Sequence, residues 1–364
     1  MSELTDVSVV LPSLDPDEKL HTVIDGLIQY GFRDIILVND GSKKENLHYF
    51  EEAQAQHPEV HVLTHSSNKG KGVALKNAFS WFLENRPNGK GVVTVDGDNQ
   101  HHPADTLLCV QKMLDTGHVV LGCRDFTQKD VPARSSFGNK TTSLIFRVFC
   151  GMTLSDTQTG LRAIPRNALE TFLTVKGDRF EYETNMLLAM KDNNIPFDEV
   201  KIRTVYIEEN KSSHFRVFQD SWKIYKLILA HFFRYTISSL LSAVLDVGCF
   251  ALLSHIWKNT LTGFALTAVP SIAARIISSL FNFFVNKAMV FRADICTGKA
   301  MLRYYMLAIP QMVCQILITH GVFSLFHLET AGLRTLAYTI VMLILFIISF
   351  VIQQRWVFSS EKQV

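Results

Sequence analysis

Residues 92–105 read VVTVDGDNQHHPAD: four β-forming positions, two acids one residue apart, an amide, two histidines and a proline. On an extended chain a period of two sends Asp96 and Asp98 to the same side. Gly97 between them lets the backbone bend tightly around a ligand. The two carboxylates and the Gln100 amide oxygen form a hard, all-oxygen set, suited to Mg²⁺ or Mn²⁺ shared with a diphosphate. Zinc would call for His or Cys ligands. His101 and His102 are adjacent rather than four apart, which reads as loop or supporting residues.

Three other segments carry polar turns of the same kind. LPSLDPDEKL offers Asp15 and Asp17, and VNDGSKKEN places Asp40, Gly41 and Ser42 in a tight turn. NKGKGVAL puts Gly70, Lys71 and Gly72 at a helix start, where glycine admits close backbone approach and the helix N-terminus favours an anion. GKGVA lacks the spacing of a phosphate-binding Walker loop, and no dinucleotide fingerprint is present. Asp-Gly turns after strands are common singly. Four on one sheet edge are harder to explain as turns alone.

The elements that must position them alternate. Strands are expected at 7–11, 34–39, 60–64, 91–95 and 118–123, and helices at 16–30, 45–56, 70–85 and 103–116. This rhythm implies βαβ crossovers and a mainly parallel sheet, with ligands beyond the carboxyl ends of its strands. The chain has 364 residues, 48% of them hydrophobic. Its charge is uneven: 27 Lys+Arg and 30 Asp+Glu in residues 1–234 leave 9 and 4 for residues 235–364. The first part reads as a mildly acidic domain with no nucleic-acid partner. Six cysteines without paired or zinc spacing suggest the reducing cytoplasm, and the N-terminus lacks the pattern of a signal peptide.

PSLDPDE, NDGS, NKGKGVAL and VDGDNQHHP, followed by LGCRDF and DTQTGLRAIPR, resemble the family-two glycosyltransferases over residues 5–230. The branch is the dolichol-phosphate mannosyltransferase (polyprenyl-phosphate glycosyltransferase) type. The resemblance implies an α/β GT-A fold, Rossmann-like. It also implies that Pro12, Ser13, Asp15 and Asp40, with Asp17 and Gly41 in the same loops, hold the nucleotide base and ribose. Lys71, Asp96 and Gly97 would lie at the nucleotide, with Asp96, Asp98 and Gln100 on the metal and diphosphate. Two motifs depart from the family pattern: Leu14-Asp15-Pro16-Asp17 stands where Pro-x-Tyr-Asn-Glu is usual, and Asn39-Asp40 where two Asp are usual.

Arginine suits phosphate because its planar fork donates two parallel hydrogen bonds. Arg124, Arg134, Arg162 and Arg166 follow the fifth expected strand, with Asp156 among them. By resemblance, Arg124 and Arg134, with Lys211, are expected at the lipid phosphate, and Asp98, Arg124 and Arg134 are expected to carry catalysis. Surface ion pairing is the alternative reading of these arginines. No His or Glu stands out as a catalytic base. A phosphate monoester, with a second pKa near 6, needs none.

Residues 215–234 carry an aromatic stripe flanked by lysines, expected to lie as an amphipathic helix at a membrane interface. Four apolar segments follow, at 235–257, 264–285, 304–326 and 335–352, each near the ~20 residues that span a bilayer. The middle connection holds Lys287, Arg292, Lys299 and Arg303, against one basic residue in each of the other two. Positive residues stay inside, so the first domain and the C-terminus are expected in the cytoplasm. Segments 282–291 (NFFVNKAMVF) and 349–358 (SFVIQQRWVF) form a weak repeat. Residues 232–360 resemble GtrA-like membrane domains. QQRW at 353–356 lacks the spacing of the processive-synthase motif. Asp246 and Arg275, near the middles of the first two spans, are expected to face the bundle interior, as an ion pair or as a polar groove for a lipid phosphate.

The expectation is therefore a GT-A domain (1–214), an interfacial helix (215–234) and an all-α four-helix transmembrane domain (235–364). Together they would move a hexose from a nucleotide-sugar to polyprenyl phosphate in the bilayer, with inversion. Another lipid or glycan acceptor, or a carrier for a lipid-linked sugar, stay open, as does homo-oligomerisation.

Overall fold

The computed structural model describes residues 4–126, 133–203, 226, 229–262, 264–291, 293, 295–327 and 330–359. The chain divides into two compact units, Met1–Tyr225 and Lys226–Val364. Of the expected interfacial helix at 215–234, residues 215–225, 227 and 228 lie outside the described residues, as does Lys211, and residues 230–234 open the first long helix of the second unit.

The first unit is built on seven strands: β1 (Val7–Ser13), β2 (Ile35–Asn39), β3 (Val60–Thr64), β4 (Gly91–Thr94), β5 (Val119–Arg124), β6 (Arg162–Pro165) and β7 (Phe197–Ile202). They lie in the order β3-β2-β1-β4-β6-β5-β7, all parallel to their neighbours except β6. β1, β2 and β4 are near-continuous β-branched and Leu runs because helices cover both faces. Register brings the strand ends together: Ser13 pairs with Asn39, and Asn39 with Thr64. β4 lies beside β1, and the Val95 N–H still donates to the Val10 carbonyl at 3.0 Å, so the acids of the 96–98 turn emerge on the same edge.

Helices α1 (Lys19–Gln29), α2 (Leu47–Gln56), α3 (Lys71–Asn85) and α4 (Pro103–Thr116) occupy the expected crossovers. On α1, Leu20, Val23, Ile24 and Leu27 recur at helical spacing and are buried against the sheet. α4 starts at Pro103 because the His102 ring accepts the Ala104 N–H, and it stops at Gly117, whose φ is +69°. The sequence reading did not resolve α5 (Ala133–Ile145), α6 (Arg166–Leu173), α7 (Glu181–Asp192) or the antiparallel β6, whose four residues are too few to show a period.

In the second unit, α8 (Ala230–Trp257), α9 (Phe264–Val285), α10 (Thr297–Leu325) and α11 (Ala331–Ile352) are long and apolar enough to cross a membrane. The repeat is structural. α9 continues into a π-helical turn at Asn286–Val290, and α11 does so at the matching Gln353–Val357. The Asn286 side-chain amide donates to Gln353 Oε1 at 3.1 Å. Around this contact the aromatics exchange places: Phe291–Phe350 centroids are 5.7 Å apart and Phe358–Phe283 are 5.8 Å apart. Gln353 also donates to Tyr235 and Ser349, so the QQRW segment is part of a buried polar tie between helices.

Arg275 and Asp246 do pair, at 3.0 Å, with Ser278 donating to the same carboxylate. Only Asp246 is turned inward, however. The Arg275 side chain is 78% exposed and reaches its partner from the outer face of α9, a span its length permits.

Replacing Gln353 by Leu leaves the Asn286 and Tyr235 polar groups without this partner, at a cost of about 1–3 kcal/mol. Thermal unfolding in detergent should show a lower midpoint for Gln353→Leu, with Gln353→Asn between the variant and the wild type.

Candidate active site

The cleft at the carboxyl edge of β1, β2 and β4 encloses about 350 Å³. Pro12, Ser13, Asp15, Asp17, Asp40, Lys71, Asp96, Gly97 and Asp98 all line it. The expected nucleotide residues are thus brought together, but several are engaged with one another. Asp15 adopts φ +49°, donates its N–H to Ser42 Oγ at 2.8 Å and accepts from the Lys43 N–H at 2.8 Å. It ties the first loop to the second. Asp40 is buried and accepts from the backbone N–H groups of Lys69 (2.9 Å) and Gly70 (2.8 Å), with His65 Nδ1 at 2.7 Å. It shapes the Gly-Lys-Gly loop. Gly41 is not a lining residue. A Cβ there would stand 2.2 Å from the Ser67 carbonyl carbon, so glycine lets these loops approach. Asp17 is exposed and caps the start of α1 through the Lys19 N–H.

Ser13 is different. Its Oγ is buried and has no hydrogen-bond partner among the described residues, an unmet group facing the cleft.

At the floor, Lys71 Nζ lies 2.7 Å from Asp96 Oδ1 and 3.0 Å from Glu183 Oε1. Burial works against the lysine charge, yet the two carboxylates outweigh it and raise its pKa above the ordinary value. Burial also opposes the Asp96 charge, and Lys71 and His101 overcome it, holding Asp96 well below the usual carboxylate range. Asp98 moves the other way, raised by burial and then by the neighbouring Asp96 charge. Burial and the Asp96 charge both press on the Asp98 carboxylate, which a divalent cation would relieve. Among the described residues no three His, Cys, Asp or Glu side chains converge on a metal position. Mg²⁺ or Mn²⁺ would therefore have to complete its shell with water and a substrate phosphate, which is the usual habit of Mg²⁺. The donor set fits on those terms. Gln100 does not line the cleft, and its backbone N–H is bonded to Asp98 Oδ1 at 3.1 Å. His101 stands 3.6 Å from Asp96 Oδ2, behind the acid.

Four residues went unread in the sequence. Gly160 sits under Asp96: a Cβ there would be 2.3 Å from Asp96 Oδ2. Glu183, on α7, holds Lys71. Arg179 and Phe180 line the cleft, and the Arg179 guanidinium has no partner among the described residues. Arg179 and Phe180, just before α7, and Glu183 within it carry no spacing signal; only Gly160, inside DTQTGLR, had one.

The arginines at and beyond the end of β5 divide. Arg124 presents its fork to buried Asp156, Nε at 2.7 Å and a terminal nitrogen at 3.1 Å, and lies over the Phe126 ring. Arg162 is fully buried and donates to the Thr159 and Glu183 carbonyls. Arg166 donates to the Leu83 and Arg86 carbonyls at the end of α3. Both serve backbone: Arg166 meets carbonyls at the end of α3, which lack helical partners, and Arg162 ties the loop at Thr159 to the start of α7. Arg134 is placed only by its backbone, in the first turn of α5. A second cavity of about 570 Å³, outside the cleft, is lined by Arg124, Phe126, Lys140, Leu144, Arg147 and Lys201 among others.

Residues 8–173 match glycosyl transferase family 2, and residues 234–358 match the GtrA/DPMS transmembrane domain. The chain joins a glycosyl transferase family 2 domain to a GtrA/DPMS transmembrane domain. Among its relatives are a UDP-N-acetylglucosamine–dolichyl-phosphate N-acetylglucosaminyltransferase of Methanococcus voltae and a dolichyl-phosphate beta-glucosyltransferase of Dictyostelium discoideum. The first is 26% identical, covering 61% of this chain and 95% of that one, and the second 26% identical, covering 63% and 74%. The polyprenol monophosphomannose synthase of Mycolicibacterium smegmatis is 25% identical, covering 55% and 77%. Among solved structures, the glucosyl-3-phosphoglycerate synthase of Mycobacterium tuberculosis aligns with a TM-score of 0.48 and 16% identity, covering 62% of this chain and 78% of that one. The seven-stranded sheet, parallel but for β6, is the GT-A fold of this family 2 domain.

Gly160→Ala should push Asp96 off its present position. A displacement near 1 Å at such a site costs roughly 10²-fold in turnover. Binding of nucleoside diphosphate with Mn²⁺, followed by calorimetry, should weaken in the same variant, while its melting temperature stays close to wild type.

Proposed function

We propose that this glycosyltransferase moves a hexose from a UDP- or GDP-linked sugar to polyprenyl phosphate at the cytoplasmic face of a membrane, giving a lipid-linked sugar for cell-envelope glycosylation. The observation that carries the donor half is the cleft itself. An unpartnered Ser13 hydroxyl, the Arg179 guanidinium and the Lys71 ammonium stand around the Asp96–Asp98 pair, a set of donors and charges suited to a nucleoside diphosphate. The acceptor half is supported by the four apolar helices in the same chain and by relatives named for dolichyl or polyprenol phosphates. Those three names carry three different sugars, so the donor sugar is left to experiment.

The chemistry asks little of a base. At pH 7 a phosphate monoester is largely ionised, and one of its oxygens attacks the anomeric carbon as the bond to the nucleoside diphosphate breaks. Attack opposite the leaving group inverts the centre. The protein's work is alignment of donor and acceptor. Asp96 and Asp98 would hold Mg²⁺ or Mn²⁺, which when bound neutralises charge on the departing diphosphate. The cavity beside Arg124, with Lys140, Arg147 and Lys201 on its walls, is the part of this domain suited to the acceptor phosphate.

Detergent-purified protein with undecaprenyl phosphate, Mn²⁺ and radiolabelled UDP-glucose, GDP-mannose or UDP-N-acetylglucosamine, supplied in parallel, should give lipid-extractable label with one donor. EDTA and Asp98→Ala should each abolish it. Failure with every donor, in protein that still binds nucleotide, would move the acceptor to another lipid or glycan.

A further inference from the structure

Lys71 occupies the oxygen of Asp96 that a metal would want. Its Nζ lies 2.7 Å from Oδ1, while Oδ2 is backed by Gly160 and by His101 at 3.6 Å. A divalent cation of this class binds carboxylate oxygen at about 2.1 Å, so at Oδ1 it would stand within about 5 Å of the ammonium. At that separation the dication and the ammonium repel each other, which favours Asp96 and Asp98 serving the ion while another carboxylate serves the lysine. Glu183 is placed to do so. Its carboxylate is already 3.0 Å from Lys71 Nζ and is 13% exposed, and α7 is pinned through Arg162, which donates to the Glu183 backbone carbonyl at 2.7 Å. The lysine stem starts at the first residue of α3, beside Gly70 and Gly72, whose missing side chains leave the Asp178–Tyr182 segment pressed against the loop. A rotation of the stem can break the contact to Asp96 while keeping that to Glu183.

We propose that Lys71 is held between Asp96 and Glu183 until a divalent ion arrives, and that the entering ion displaces it from Asp96 onto Glu183. This rests on the reading of Asp96 and Asp98 as the ion's ligands. Lys71 is then a competitor of the metal in the empty enzyme and a counter-charge to the diphosphate in the loaded one. Glu183 is a positioning residue: it touches neither reacting atom and acts by holding the displaced ammonium. The arrangement keeps the two acids from drawing in a cation before the nucleotide that completes its shell.

The test is direct Mn²⁺ binding to the full-length protein in detergent, with free Mn²⁺ read by electron paramagnetic resonance, alone and with UDP or GDP. Lys71→Met and Lys71→Gln should each bind Mn²⁺ alone about tenfold more tightly than wild type, and should lose most of the tightening that the nucleoside diphosphate gives wild type. Glu183→Gln should bind Mn²⁺ alone more weakly, because Lys71 is left with Asp96 as its only anion. Circular dichroism melts confirm that each variant is folded, and using two Lys71 variants guards against a packing defect in one of them. Wild-type affinity in both Lys71 variants, or Glu183→Gln binding Mn²⁺ as wild type does, overturns the switch while leaving the metal site standing. If neither wild type nor the Lys71 variants bind Mn²⁺, with or without nucleoside diphosphate, the assignment of the ligands fails and the switch with it.

Discussion

The ammonium of Lys71 joins three segments far apart in the chain: the start of α3, the turn after β4 and the helix α7. Two carboxylates that a strand end turns to one side repel each other, and the fold meets this with fixed positive charge and close backbone support. Gly160 beneath Asp96 and Arg162 beneath Glu183 are part of that support. Charges of alternating sign continue inward. Burial lowers the Arg162 pKa, opposed by the fields of Glu183, Asp156 and Asp96, and Asp156 in turn holds the fork of Arg124. The donor cleft and the cavity beside Arg124 are therefore the two ends of one electrostatic series within the same domain.

The sequence revealed this site in proportion to how local its signals are. Asp96, Asp98, Asp40 and Lys71 each follow a strand with a recognisable turn, and a parallel sheet must collect such turns on one edge. What each acid does there was not legible. Asp15 and Asp40 spend their carboxylates on neighbouring loops, a contact between residues 25 or more positions apart that spacing cannot announce. Arg162 and Arg166 donate to backbone carbonyls, and in sequence an arginine reads the same whether its fork meets a phosphate or a carbonyl. Glu183 and Arg179 come from segments with no period and no turn signature, so only the folded chain brings them to the cleft.

In the membrane half, length and apolarity announced the four helices, and the short repeat announced their relation. The repeated amide proved to be the contact itself. Asn286 and Gln353 meet side chain to side chain, and each opens a π-helical turn that widens its helix at that point. The outward reach of Arg275 was not foreseen, because hydropathy reports how deep a charge sits and not which face it occupies.

The central claim is that a hexose alone leaves the cleft for a lipid phosphate, the nucleoside diphosphate staying behind. A donor labelled with ¹⁴C in the sugar and with ³²P in the β-phosphate tests it in one reaction with undecaprenyl phosphate. The account predicts ¹⁴C in the lipid extract with all ³²P left in the aqueous nucleotide. Equal transfer of both labels would mean that a sugar phosphate moves instead, and would contradict the account.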